Sequence, residues 1–140
     1  MPVKTAPSPG EFALFAEACA ALSLASLAVR FWPFRWIVAS TRIGRRRRQT
    51  ALDPAPIVLA VRRASRRLPW RIVCFQEGLA THWMLRRRGG AAQLHYGVRS
   101  DADRLSAHVW VSLRGQPVIG EEGADPHRCV ATFPTSALDA

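Results

Sequence analysis

A chain of 140 residues with 49% hydrophobic and 21% charged residues has the make-up of one globular domain, which excludes disordered, collagen-like and fibrous classes. Its net charge of +10 comes from 20 basic residues, all but Lys4 of them arginine. So lopsided a ratio reflects codon composition as much as guanidinium chemistry; it is discounted as evidence for a nucleic-acid partner, although a basic face still attracts acidic ligands. Cys19, Cys74 and Cys129 are odd in number and widely spaced, with no Cys-x-x-Cys, so they form neither a disulfide framework nor a zinc module and point to a reduced, cytoplasmic setting.

Met1 to Gly10 carries three prolines and little to bury, and is expected to be a disordered start. Glu11 to Val29, rich in alanine and leucine, predicts a helix with Phe15, Leu22 and Val29 on its apolar stripe. The stretch approaches spanning length, but Glu17, the many Ala and Ser residues and the lack of a cleavage site argue against a membrane span or signal peptide. Pro33 interrupts Phe31-Trp32-Pro33-Phe34-Arg35-Trp36, and a second short helix runs to about Ile43; the four aromatics are expected to pack in the core. Gly44 ends that helix, and Arg45 to Gln49 reads as a solvated basic linker.

Asp53 is placed to cap a helix carrying Ile57, Val61, Ala64 and Leu68 at helical spacing. Pro69-Trp70 ends it. The next helix begins near Arg71, bears Cys74 in its first turns and sets Phe75, Leu79, Trp83 and the stem of Arg86 on one side before Gly89-Gly90 stops it. A thiol there feels the positive end of the helix dipole and unpaired N–H groups, both of which favour thiolate. Gln93 to Arg99 alternates as a strand with Leu94, Tyr96 and Val98 inward, and Ser100 to Ser106 reads as a polar loop.

Ala107 to Leu113 alternates strictly, with Ala107, Val109, Val111 and Leu113 on one face and His108, Trp110 and Ser112 on the other. Arg114-Gly115 is a hairpin turn, and Gln116 to Gly120 the returning strand. A two-residue loop sets His108 opposite Glu121, where a carboxylate could orient the imidazole; a three-residue loop would bring Gly120 or Glu122 there instead. Glu121 to Pro126 is a loop, Cys129 to Phe133 a last strand, and the rest a tail. Cys19 and Cys129 read as small buried residues, and His82 and His95 as surface or core residues. Cys/His groups at metal-ligand spacing and a Gly-rich phosphate loop are absent, so neither a metal nor a cofactor is expected. Helices followed by antiparallel strands give an α+β class with the sheet covered on one side.

The N-terminal helix ending in Phe-Trp-Pro-Phe-Arg, the Cys74 helix ending in Leu85-Arg86-Arg87-Arg88-Gly89, the strand Leu94-His95-Tyr96-Gly97-Val98, and Ala107-His108-Val109-Trp110-Val111 followed by Gly115 and Pro117-Val118-Ile119-Gly120 carry a resemblance. Over residues 11 to 134 the chain resembles the transglutaminase-like leader peptidases of lasso peptide biosynthesis. The resemblance implies a papain-like or transglutaminase-like core over 51–134, preceded by a helical region with a basic linker over 11–50 and followed by a tail over 135–140. It implies a Cys-His-Asp triad that hydrolyses a lasso precursor peptide between leader and core, with a separate leader-recognition protein and a macrolactam synthetase as partners, in the cytoplasm. Cys74 is then the nucleophile and His108 the base. The family's aspartate falls at Gly120 here, a departure that leaves Glu121 or Glu122 as third member. Two other readings stand beside it: a small nucleic-acid-binding protein using Arg45 to Arg48 and Arg62 to Arg67, and a catalytically silent scaffold of the same fold.

Overall fold

The computed structural model describes residues 6–44, 52–121 and 128–134, so the Arg45 to Arg48 run, Glu122 and the tail lie outside the described residues. Helix α1 (Pro9–Phe31) starts sooner than expected because Ser8 and Glu11 close a capping box, each side chain bonding the other's backbone N–H at 3.2 and 3.1 Å. Its buried stripe is made of small residues, Ala18, Ala21, Ala25 and Ala28 with Leu22. Of the three residues expected there only Leu22 is buried; Phe15 is half-buried and Val29 exposed. Alanines let α1 lie close against α3 (Ala55–Arg67) and α4 (Cys74–Arg87), and Glu17 pins it there by accepting from Arg87 and Arg88.

The short helix α2 (Phe34–Ser40) buries Ile37 and Ser40, while the aromatics on both sides of Pro33, Phe31, Trp32, Phe34 and Trp36, are all exposed, against the core packing expected of them. Seven residues following Pro33 give α2 one buried side, and Ile37 takes it. The N-cap of α3 is Pro54 rather than Asp53, whose carboxylate accepts from the Ala55 N–H at 3.0 Å from one position further out; Ile57, Val61 and Ala64 are buried as their spacing requires, and Leu68 is half-buried. Helix α4 is the central element, buried at Leu79, Ala80, Thr81, His82, Met84 and Leu85, and Gly89 at φ 83 turns the chain out of it.

Four antiparallel strands, β1 (Ala92–Asp101), β2 (Arg104–Leu113), β3 (Gln116–Ile119) and β4 (Arg128–Phe133), form one sheet in the order β3-β2-β1-β4. The polar loop expected over Ser100 to Ser106 is instead a hairpin: Asp101 pairs with Arg104, with Ala102 at φ 53 in the turn. Both faces of the sheet are solvated at that end, so its polar residues carry no alternation to read. The Arg114-Gly115 turn has φ 52 and 80, the left-handed pair that a two-residue hairpin needs.

Leu113 pairs with Gln116 and Ser112 with Pro117, as a two-residue loop dictates. A bulge between Val111 and Ser112 then shifts the register by one, so that Val111 meets Ile119. Ala92, Leu94, Val109, Val111, Leu113 and Ile119 face the helices in one continuous core, and the arrangement is α+β with helices on one side of the sheet. Cys129, expected to be buried, is exposed on the outer strand β4.

Candidate active site

Cys74 is the first residue of α4. The helix starts there because the Gln76 side chain turns back to accept the Val73 N–H at 3.0 Å. Glu77 in the same turn accepts from the Ser65 hydroxyl of α3 at 2.6 Å. The Cys74 side chain is half-buried against the core, next to backbone amides that have no partner within the helix.

His108 sits in the middle of β2, half-buried, and its Nε2 lies 2.7 Å from the carbonyl oxygen of Gly120. A carbonyl only accepts, so Nε2 carries the hydrogen, and in the neutral ring Nδ1 is left as the basic nitrogen. The Gly120 carbonyl thus fixes the tautomer and orientation of the ring. Gly120 has φ 80, and a Cβ there would come within 2.7 Å of the Val109 oxygen, so the position where the resemblance places an aspartate is closed to any side chain. Glu121 is exposed, and the bulge removes it from the register expected opposite His108. Glu122 lies outside the described residues.

A Cβ at Gly78 of α4 would lie 2.8 Å from Val109 and 3.3 Å from Leu94, which identifies the face of the sheet that α4 covers. His108 precedes Val109 and points to the other face, where its ring stacks on Trp110 with centroids 6.3 Å apart. Among the described residues no hydrogen bond joins Cys74 to His108.

The open face holds a network that sequence reasoning missed. Trp110 is stacked between His108 and His95, the latter at 5.5 Å, and His95 is bonded at both nitrogens, Nε2 to the Ser112 hydroxyl at 2.7 Å and Nδ1 to the Thr132 hydroxyl at 3.0 Å. Burial pushes the His95 pKa down, so the ring is held neutral. The pairing of His95 with Trp110 depends on the two-residue turn at Ala102-Asp103, which the polar sequence around it does not mark. His82 is a wholly buried core residue, its Nε2 donating to the Thr41 carbonyl at 2.9 Å. Among the described residues no group of three or more His, Cys, Asp or Glu is arranged to hold a metal ion.

The transglutaminase-like superfamily model matches residues 19–131, which span α1 to β4 and include both Cys74 and His108. The superfamily includes cysteine peptidases. No curated protein and no solved structure is matched by the chain. With the match covering most of its length and the expected order of helices and antiparallel strands present, the chain belongs to the transglutaminase-like superfamily.

Proposed function

We propose that this chain is a cysteine peptidase that removes the leader from a lasso peptide precursor through an acyl-enzyme on Cys74. The observation that carries the reading is a cysteine at the first position of the central helix in a transglutaminase-like chain. Nδ1 of His108 takes the thiol proton, the sulfur attacks the scissile carbonyl, and the Cys74 N–H steadies the oxyanion. The imidazolium then protonates the leaving amine, and water releases the acyl group. The Gly120 carbonyl, holding Nε2–H, serves in place of the triad's acid. The thiol and imidazole have to meet for this chemistry. The precursor, a separate leader-recognition protein and a macrolactam synthetase are the partners of this reading, and the cytoplasm its setting.

A second reading, a catalytically silent scaffold of the same fold, is favoured by His108 stacking on Trp110 and pointing away from the face that α4 covers. One experiment separates the two. Purified protein is incubated with a precursor peptide, with and without a leader-recognition protein, alongside Cys74→Ala and His108→Ala. Cleavage by the native chain and by neither variant supports the peptidase. Cleavage retained in Cys74→Ala overturns the assignment, and no cleavage under any condition supports the scaffold.

A further inference from the structure

Helix α1 is built inside out for a helix that ends at water. Its small residues face the protein, while Ala13, Ala16, Ala20, Leu24, Leu27 and Phe31 form an exposed stripe at helical spacing with no charge in it. Leu24 is 58%, Leu27 54% and Phe31 68% exposed. The helix's polar atoms are turned away or satisfied: Ser23 and Ser26 donate to the carbonyls of Cys19 and Leu22 at 2.7 and 2.8 Å, and Glu17 is paired with Arg87 and Arg88. It is the one helix among the described residues long and apolar enough to cross a membrane.

The exposed apolar residues continue past α1 into α2. Trp32 and Trp36 meet edge to face at 6.5 Å, both exposed, beside Phe34 and Ile43. Leu24, Trp32, Ile43 and Trp83 line an open groove of about 480 Å³. Exposed Arg30, Arg35 and Arg42 alternate with these aromatics. Tryptophan and arginine around an apolar helix face are the groups that sit at a bilayer surface, the rings at headgroup depth and the guanidinium groups on phosphate.

We propose that α1 and α2 dock this protein onto an anionic phospholipid surface, lying in the interface rather than spanning it. The docking is independent of the peptidase reading. Charge decides the occupant: a second copy would bring Arg30, Arg35 and Arg42 against their own kind on a chain of net charge +10, whereas acidic headgroups complement them. Glu17, held by Arg88 and by the exposed Arg87 at the edge of the groove, ties α1 to the fold and opposes full insertion.

Co-sedimentation with phosphatidylcholine vesicles, with and without phosphatidylglycerol, tests this, read together with quenching of tryptophan fluorescence by brominated lipid. The native chain is expected to pellet with anionic vesicles, less so at high salt, and to be quenched. Arg35→Glu with Arg42→Glu weakens binding by roughly 10²-fold, given the contribution of each basic residue near an anionic surface. Leu27→Glu with Trp36→Glu abolishes quenching. These positions are exposed, and circular dichroism checks that each variant is folded. No association with anionic vesicles overturns the proposal. So does binding unaffected by either double variant, or a dimer in gel filtration that Leu27→Glu dissolves. Capture of an acidic peptide through the same residues without vesicle binding also overturns it.

Discussion

The two faces of the sheet are made by the same strands one residue out of phase, yet they differ in kind. Leu94, Val109, Val111 and Leu113 lie under α4 and are buried, while His95, Trp110, His108 and Ser112 on the other side are tied together by stacking and hydrogen bonds. A period of two lets packing and chemistry occupy alternate positions without competing for space. The same alternation keeps His108 away from the helix that carries Cys74. The covered face accounts for stability; the open face holds the reactive groups of the strands.

That contrast is tested first where it predicts the greatest loss. Leu94→Ala empties space between β1 and α4 and is expected to cost about 2–5 kcal/mol, measured by urea unfolding. If it costs no more than substitutions on the open face, the contrast fails.

His82, buried in the helical layer above the covered face, gives a pH signature. Burial lowers its pKa from 6.5 to about 4, outweighing the opposing bond to the Thr41 carbonyl, with Arg86 and His95 adding to the lowering. The unfolded chain therefore takes up the proton first as pH falls. Stability is full above about pH 6.5 and declines towards pH 4, by about 3 kcal/mol for a shift of this size. Unfolding midpoints of the native chain and of His82→Gln across this range check it, the variant being expected to lose most of that slope.

Gly120→Asp sharpens the comparison on the open side. A triad acid placed there meets the Val109 oxygen and a left-handed backbone, so it is expected to cost roughly 1–3 kcal/mol and to give no gain in precursor cleavage. A gain would show that the Gly120 carbonyl is not a substitute for the carboxylate. The smallest effect belongs to Ser112→Ala, which leaves His95 Nε2 without its hydroxyl. It is expected to cost about 1 kcal/mol in urea unfolding, with the loss removed when His95→Ala is already present.

How much was legible depended on whether a residue's role was local. The four helices, the inward Leu94, Val109, Val111 and Leu113 and the Arg114-Gly115 turn follow from spacing and from the few residues that tolerate positive φ, whereas Ala107, expected inward with them, is exposed near the wet end of the sheet. The hairpin at Ala102-Asp103 was hidden because both faces are wet there, so nothing marks in from out. Glu121 was placed opposite His108 by counting back from the turn, and a single bulge at Val111 spoils any such count. The aromatics of Phe31 to Trp36 read as core by composition, but a short helix after Pro33 offers only one buried side.

Period and propensity are properties of a few neighbouring residues, so the order of helices and strands, the cysteine at a helix start and the phase of His108 against Val109 could all be read along the chain. Register after a bulge, the choice of which face α4 covers and the exposure of α1's larger side chains arise from contacts between residues far apart in sequence. Those contacts exist only once the helices and the sheet have packed together, and they are what determine the distance between a thiol on α4 and an imidazole on β2.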